Sequence, residues 1–340
     1  MKKKISKILG VAITITMLAS LMIVAAPASA ADPLVWNGEF GPGGVPTYTR
    51  NAGSNMVDFA IGFDGLTIYA VAGGSDNFTY KSADGGNTWS KLTTNFGFAP
   101  VTVAVAPDDV DMVVVANTSG AVYLSTNGGI SFSNLNQSIV TNIFALAISP
   151  ASSALHYIVA AGDDGASNSA ISYFNFGATL PVWTNAQSGT GWTGTDPVGA
   201  TAIRAVAFSP AFASDKVMLI VSENSTTKAL LEVASFAFTA WNTEAGFSGY
   251  PATILAETGI GPLNSATLDL APTYLGADEA ERLVFVGLAT PSGTYPGGAY
   301  RFNNTTKVTL LTTVAAIRSV AFDGTNLVAG AYASNWVYRS

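Results

Sequence analysis

Four aspartates stand within or directly after short apolar runs that recur along the chain, at Asp58, Asp64, Asp269 and Asp323. Two carboxylates from distant parts of a chain can act as acid and base in glycoside hydrolysis, and they need no local motif to meet. Aspartate in such positions also closes turns by accepting hydrogen bonds from backbone amides. We favour the turn-closing role, with a catalytic pair as the alternative.

Two arginines occupy the same position in two related apolar runs. Arg204 lies in residues 202–208, Ala-Ile-Arg-Ala-Val-Ala-Phe, and Arg318 lies in residues 316–322, Ala-Ile-Arg-Ser-Val-Ala-Phe. A guanidinium recognises anionic or polar groups through paired hydrogen bonds. Arg204 and Arg318 are therefore the predicted ligand-binding residues. The alternative is that each one caps a strand and pairs with a nearby acid.

The composition offers little support for metal chemistry. His156 is the only histidine and there is no cysteine, so a zinc site built on His and Cys is excluded, and His156 is predicted to be a structural residue at a strand edge. Two acid-rich turns could offer oxygen ligands to calcium, although neither has the EF-hand spacing; they contain Asp108, Asp109 and Asp111, and Asp163 and Asp164. We favour hydrated turns and predict no cofactor, with calcium as the alternative.

The elements that must position these residues are short strands arranged in a repeat. An apolar strand ending in Pro or Asp occurs six times, at intervals of 43 to 62 residues, in 59–64, 103–107, 146–150, 206–210, 268–272 and 320–323. A β-branched run, a third strand and, in most units, an aromatic-anchored fourth strand follow. This pattern is typical of propeller blades. We predict an all-β fold, a six-bladed β-propeller of four-stranded antiparallel blades, as a single domain over residues 31–340.

The ring of blades needs one more strand near its closure. The sixth unit stops at Ser340, after its third strand, whereas residues 34–37, Leu-Val-Trp-Asn, match the fourth strands around Trp183 and Trp241. Pairing with that last unit would remove an exposed sheet edge. We therefore predict that the N-terminal strand around Trp36 closes the last blade. The alternative is a gene product that continues into another blade or domain.

Two segments of adjacent units resemble a known turn motif. Residues 82–89, Ser-Ala-Asp-Gly-Gly-Asn-Thr-Trp, match the Asp-box motif Ser-x-Asp-x-Gly-x-x-Trp, and residues 125–132, Ser-Thr-Asn-Gly-Gly-Ile-Ser-Phe, are a degenerate copy. The chain thus resembles the Asp-box (BNR) repeat β-propellers, which include sialidases, xyloglucan-cleaving glycosidases, sortilin-type receptors and photosystem assembly-factor-like proteins. The resemblance implies a structural hairpin between third and fourth strands, formed by Ser82, Asp84, Gly86, Trp89, Ser125, Asn127, Gly129 and Phe132.

Neither the motif nor the family settles the chemistry, because one fold hosts many functions. The Arg-Ile-Pro signature that sialidases carry early in the chain is absent here. We therefore expect a propeller that resembles the sialidases in fold and lacks their catalytic residues.

The first thirty residues have the features of a secretory signal peptide. Four lysines precede an apolar run over residues 8–26, and Ala28-Ser29-Ala30 supplies a small-residue cleavage site. We predict a signal peptide over residues 1–30, cleavage before Ala31 and export to the cell surface or the extracellular space. An uncleaved membrane anchor is the alternative.

The charge of the chain limits its partners. Loss of the signal removes four lysines and no acids, so the formal charge changes from −7 to −11. An acidic chain has no basic footprint for nucleic acid or anionic lipid, and we expect no membrane insertion after signal cleavage. We predict a non-catalytic exported module that binds a glycan or protein partner through its channel mouth and loops, including residues 186–200 and 247–261. The alternative is a secreted glycoside hydrolase with two carboxylates at the channel mouth.

Overall fold

The computed structural model describes residues 56–192, 200–224, 228–236, 239–257, 261–291, 297–312, 316–331 and 337–340. In these ranges the chain forms 24 strands in six antiparallel sheets, which confirms the predicted six-bladed β-propeller. Helical structure in the same ranges is confined to one short α-helix, α1 (Phe212–Asp215), and two 3₁₀ turns at Asn242–Ala245 and Glu279–Glu281. None of the described helices is long and apolar enough to cross a membrane.

The first three blades are four-stranded sheets whose strands follow one another in chain order. Blade 1 contains β1 (Met56–Ile61), β2 (Ile68–Ala72), β3 (Thr79–Ser82) and β4 (Ser90–Lys91). Blade 2 contains β5 (Thr102–Ala106), β6 (Asp109–Ala116), β7 (Ala121–Ser125) and β8 (Ser133–Gln137). Blade 3 contains β9 (Asn142–Ile148), β10 (His156–Asp163), β11 (Ser169–Phe176) and β12 (Trp183–Asn185).

Blade 5 keeps this plan, blade 4 has a fifth strand at its outer edge, and three strands of blade 6 lie among the described residues. Blade 4 contains β13 (Ala202–Phe208), β14 (Val217–Asn224), β15 (Lys228–Ser235), β16 (Ala240–Trp241) and β17 (Ala252–Ala256). Blade 5 contains β18 (Ser265–Leu270), β19 (Leu283–Ala289), β20 (Gly298–Asn303) and β21 (Thr306–Thr312). In the described part of blade 6 there are three strands, β22 (Ile317–Phe322), β23 (Leu327–Ala331) and β24 (Val337–Arg339).

Two segments, residues 247–261 and residues 34–37, carried specific predictions from the sequence. Residues 247–261 were expected to be a loop, but residues 252–256 form β17, which pairs with β15 beside β16. The outer edge of blade 4 is therefore built by two short strands separated by a 3₁₀ turn. Residues 34–37, the predicted closing strand of the last blade, lie outside the described residues.

The second strand of each blade is the most buried part of the fold. In β6 the side chains from Met112 to Ala116 are all buried, and in β14 those from Val217 to Glu223 are. A strand covered on both faces needs a continuous apolar run in place of an alternating one, and the β-branched residues in these runs suit extended backbone. The continuous apolar, β-branched runs that predict the second strands therefore also explain why these strands are buried on both faces.

The core is divided into clusters that lie between successive blades. Tyr69 of blade 1 shares a cluster with Val113 of blade 2, and Val159 of blade 3 shares one with Ile220 of blade 4. Similar clusters join blades 2 and 3, blades 4 and 5, and blades 5 and 6. Each fully buried Val or Ile side chain stabilises such a fold by about 1.5–3 kcal/mol, so neighbouring blades hold one another in place.

Candidate functional site

The first strands of blades 1 to 5 line a central cavity. Neighbouring inner strands contact one another from β1 through β5, β9, β13 and β18 to β22. The cavity has a volume of about 390 Å³. Its walls come from corresponding positions in blades 1 to 5, the second half of each inner strand and the residues just after it, and include Ile61, Val105, Pro107, Ile148, Pro150, Phe208, Pro210 and Leu270. The cavity therefore lies toward the end of the channel at which the inner strands finish.

The chemistry of this cavity is mainly apolar. Three prolines, Pro107, Pro150 and Pro210, mark its rim, and small or branched apolar side chains cover its walls. Asp269 is the ionisable residue in the lining, and its Oδ2 accepts a hydrogen bond from the backbone N–H of Phe322 in blade 6 at 2.6 Å. Burial raises the pKa of the Asp269 carboxyl, and that hydrogen bond opposes the rise. The cavity suits an apolar group with few polar atoms.

The other three aspartates singled out in the sequence are also engaged by protein donors. Asp58 Oδ2 accepts hydrogen bonds from Thr102 Oγ1 at 2.8 Å and from the backbone N–H of Val103 at 3.0 Å, both in blade 2. Burial raises the pKa of the Asp58 carboxyl, and these hydrogen bonds oppose the rise. Asp58 and Asp269 thus each connect an inner strand to that of the following blade.

Asp64 and Asp323 close turns after inner strands. Asp64 accepts hydrogen bonds from the backbone N–H groups of Leu66 and Thr67, and Asp323 accepts them from Thr325 and Asn326. The hydrogen bonds from Thr67 lower the pKa of Asp64. Those from Asn326 lower the pKa of Asp323 to about 2. Both carboxylates are thereby held in the ionised form in the geometry of an Asx-type turn.

Arg204 lies near the start of its inner strand, away from the cavity. Its Nε donates to Oε1 of Glu223 at 2.7 Å, and its guanidinium lies 4.2 Å from the ring centroid of Phe144 in blade 3. The other carboxylate oxygen of Glu223 accepts the backbone N–H of Leu263. Burial raises the pKa of Glu223, and the charge of Arg204 opposes the rise. Arg204 thus belongs to a cluster that spans blades 3, 4 and 5.

Arg318 occupies the matching position at the start of β22 and is exposed. The structure therefore gives the two arginines different surroundings, because Arg204 has a buried carboxylate beside it and Arg318 lies at the surface. Their predicted role in binding a ligand stays a prediction. Glu223 escaped the sequence analysis, since it ends the buried apolar run of β14 and its partners lie far from it in the chain.

The first Asp-box segment forms the hairpin between β3 and β4. Ser82 Oγ donates to Asp84 Oδ1 at 2.8 Å and accepts the N–H of Gly86 at 2.9 Å. Asp84 also accepts the N–H and the hydroxyl of Thr88, and these hydrogen bonds lower its pKa. Gly86 has a φ of 96°, which a residue without a Cβ adopts at little cost. Trp89 Nε1 donates to the carbonyl of Gly86 and the ring is buried.

The degenerate segment has the same geometry between β7 and β8. Ser125 Oγ donates to Asn127 Oδ1 and accepts the N–H of Gly129, each at 2.9 Å. Asn127 Oδ1 also accepts the N–H of Ser131 at 3.0 Å. The ring of Phe132 lies edge-on to that of Phe96, with centroids 5.1 Å apart, in the cluster between blades 1 and 2.

His156 and the acid-rich turns are joined to protein groups. His156 Nε2 lies 3.0 Å from Asp108 Oδ1, and Asp108 Oδ2 accepts the backbone N–H of Ala151, so these residues connect blades 2 and 3. Asp163 accepts hydrogen bonds from Asn142 and Gly165. Asp109 and Asp164 accept local backbone N–H groups, and Asp111 forms an ion pair with Lys81 of blade 1 at 3.5 Å. Among the described residues, no group of three or more His, Cys, Asp or Glu side chains is arranged to hold a metal ion.

Comparisons with known proteins add support for the fold. No protein-family model matches the sequence, and no curated protein matches it. A structure titled "YCF48 bound to D1 peptide" is similar with a TM-score of 0.51 and 12% identity, over 84% of this chain and 77% of that chain.

Two glycoside hydrolase structures are also similar. The GH74 enzyme of Niastella koreensis has a TM-score of 0.55 at 14% identity, and the GH74 xyloglucanase of Xanthomonas campestris has 0.54 at 13%. Each match covers 84% of this chain and 44% of the other. At these identities the similarity shows the propeller fold, and the Asp-box family stays a prediction.

Proposed function

We propose that this chain is an exported, non-catalytic propeller that binds a protein partner by receiving apolar side chains in its central cavity. The observation that carries the proposal is the lining of that cavity, in which three prolines and branched apolar side chains surround about 390 Å³. Such a space can hold one or two large apolar side chains of an extended segment. A solved propeller of similar fold that holds a peptide is consistent with this use of the architecture.

The same lining argues against a glycan as the primary ligand. Sugars present hydroxyl groups that need fixed hydrogen-bond partners when they lose water. In the described lining, Asp269 supplies the charged side chain and already accepts the N–H of Phe322. The other three aspartates that could have formed a catalytic pair, Asp58, Asp64 and Asp323, likewise accept backbone N–H groups. A protein ligand therefore fits this site better than a polysaccharide.

The binding test compares a variant of the cavity with a matched surface variant. Ala147 lines the cavity, so Ala147→Asp would place a charge there, whereas Ala166 lies in an exposed turn. The full chain and both variants would be screened on an array of short peptides and on a glycan array. We expect binding to peptides rich in apolar residues, lost in Ala147→Asp and kept in Ala166→Asp.

Two results would contradict the proposal. Binding of glycans that Ala147→Asp leaves unchanged would favour the glycan partner, and turnover of chromogenic glycosides by the full chain would favour the hydrolase. Export rests on the sequence of the first thirty residues. Its test is the N-terminal sequence of the secreted protein, which we expect to begin at Ala31.

A further inference from the structure

The central cavity has a charged side chain in an apolar lining. Asp269, near the end of β18, lines the cavity together with alanine, valine, isoleucine, leucine, proline and phenylalanine residues. Its side chain is only partly buried, so a molecule that enters the cavity can reach the carboxylate. Among the described lining residues, Asp269 is therefore the group that distinguishes a charged occupant from a neutral one.

Backbone donors occupy only part of this carboxylate. Oδ2 of Asp269 accepts the N–H of Phe322 at 2.6 Å, and the backbone N–H groups of Phe322 and Leu270 both oppose the rise in the pKa of Asp269 that burial causes. An ionised carboxylate offers about four acceptor sites. These two donors therefore leave acceptor sites open to water or to a ligand.

The buried carboxylate of Glu223 shows how a cation is supplied elsewhere in the fold. Its charge is balanced by Arg204, whose Nε lies 2.7 Å from Oε1 of Glu223. Within the described ranges, no Lys, Arg or His side chain forms such an ion pair with Asp269. The described residues thus give the Asp269 carboxylate hydrogen bonds but no paired cation.

This difference limits what can fill the cavity. An apolar side chain alone would displace water from the open acceptor sites of Asp269. A carboxylate that loses water without gaining a cation or further hydrogen bonds is strongly disfavoured. A positively charged group removes that penalty, because charge-assisted hydrogen bonds replace those to water. The lining therefore favours an occupant that has both an apolar part and a cation.

Lysine and arginine side chains have both parts. Their aliphatic stems cover apolar surfaces while the charged end reaches a polar group, and Ile148, Pro150 and Pro210 provide apolar surface in the same lining as Asp269. Phe208 of β13, the neighbouring inner strand, adds an aromatic residue to that lining, and cations are attracted to aromatic rings. A basic side chain therefore fits the chemistry of the cavity better than a neutral apolar one.

The charge of the whole chain acts in the same direction. The formal charge is −7, so the chain attracts a basic partner and repels an acidic one at long range. Complementary charge of this kind speeds association and suppresses wrong partners. An acidic segment is therefore a poor candidate for the cavity, and a basic one is a good candidate.

We propose that the cavity selects a lysine or arginine side chain of the protein partner, next to a large apolar residue, and that Asp269 pairs with its charged end. This inference rests on the proposed function, in which the cavity receives side chains of a protein partner, and it names the kind of side chain. Asp269 is thereby the specificity-determining residue of the cavity. The apolar neighbour fills the rest of the space.

Matched peptides test this selection on the full chain. An array would carry short peptides with apolar residues around a central position that is lysine, arginine, norleucine or glutamate. Norleucine keeps an aliphatic chain and lacks the charge. In about 0.15 M salt, which screens long-range attraction, we expect the lysine or arginine peptides to bind about tenfold more tightly than their norleucine counterparts, as close charge pairs at interfaces do. Glutamate peptides should bind most weakly.

The outcomes separate this inference from the proposed function. If norleucine peptides bound as tightly as the basic ones, the selection by Asp269 would be wrong and the apolar binding site would stand. If no peptide of the array bound, both would be wrong. The comparison uses the unmodified protein, so it does not depend on whether a variant folds.

A pair of variants assigns the preference to Asp269. Asp269→Asn removes the charge and keeps an acceptor oxygen for the N–H of Phe322, and it should bind basic and norleucine peptides about equally. Asp58→Asn makes the same change at an inner-strand carboxylate that is not among the described lining residues, and it should keep the preference. A preference that survives in Asp269→Asn, or one that Asp58→Asn abolishes equally, would overturn the proposal. Thermal melts of both variants would confirm that they are folded.

Discussion

Nε of Arg204 donates to the buried carboxylate of Glu223 across 2.7 Å. The same carboxylate accepts the backbone N–H of Leu263 in the next blade. An ion pair so placed connects two blades at the end of the channel where the inner strands begin. Because Glu223 is almost fully buried, removal of Arg204 would leave the carboxylate of Glu223 buried without a compensating charge.

Arg204→Ala should lower the free energy of unfolding by about 3 kcal/mol, because it leaves Glu223 buried and uncompensated. Urea denaturation would measure the loss. Arg318→Ala is the matched comparison, since Arg318 is exposed at the same position of β22. Interactions of exposed charges are screened by solvent, so this change should lower stability by less than about 1 kcal/mol. Replacing both partners, as in Arg204→Met with Glu223→Gln, removes the charge and keeps an acceptor oxygen for the N–H of Leu263, and should recover much of the loss. A stable Arg204→Ala variant that fails to bind a ligand would instead support the role predicted from the sequence.

Asp58→Ala should cost about 2 kcal/mol of stability, because Thr102 and Val103 of blade 2 would lose their common acceptor. Asp58→Asn keeps an acceptor oxygen and should cost less. Asp109→Ala serves as the control, since Asp109 is exposed and accepts only a local hydrogen bond from Asp111. Equal midpoints for Asp58→Ala and Asp109→Ala in urea would mean that the connection between blades contributes nothing.

The fold was accessible from the sequence because its signals are local. In the sequence, each blade has a short apolar strand followed by a β-branched run. In the two Asp-box hairpins, the hydrogen-bond partners of Asp84 and Asn127 all lie within four residues of them. Contacts between blades leave no such signal. Glu223 meets Arg204 and Leu263 across 19 and 40 positions, and nothing in the apolar run of β14 marks it as a charged partner.

Strand β17 and the apolar lining of the cavity were missed for the same reason. Residues 252–256 follow Pro251 and a Gly-rich stretch, and their pairing with β15 is set by the edge that the short β16 leaves free. The sequence predicts binding at the channel mouth with Arg204 and Arg318 as ligand-binding residues, and the role of these arginines stays a prediction. The apolar cavity depends on how five inner strands converge, which no single strand reveals.

The stabilisation that the Asp323 carboxylate contributes to the fold should be lost in acid. Its pKa falls from 3.8 to about 2 on folding, so its stabilisation is full above about pH 4 and is lost as the pH falls through about 2. The difference in urea midpoint between the wild type and Asp323→Asn should therefore shrink between about pH 6 and about pH 2, because other carboxyls titrate equally in both proteins. A difference that stays constant with pH would show that the Asp323 carboxylate does not stabilise the turn.

Asp84→Ala should lower the thermal midpoint by a few degrees and leave partner binding unchanged. The carboxylate accepts hydrogen bonds from Ser82 and Thr88 within the hairpin, and the hairpin lies in the loop between β3 and β4, whereas the cavity is lined by inner strands. Calorimetry and the peptide array would measure the two properties on the same samples.

The second copy of the motif supplies the control for Asp84. Asn127 holds the N–H of Ser131 as Asp84 holds that of Thr88, so an amide at this position keeps the principal acceptor. Asp84→Asn should therefore lose much less stability than Asp84→Ala, and Asn127→Asp should be tolerated, because a carboxylate can accept the hydroxyl of Ser131 in place of the present donation to it. If Asp84→Ala melted like the wild type but no longer bound its partner, Asp84 would belong to the binding surface and the turn-forming role would be wrong. If Asp84→Asn lost as much stability as Asp84→Ala, the negative charge would be the essential property, and the geometry shared with Asn127 would not explain the turn.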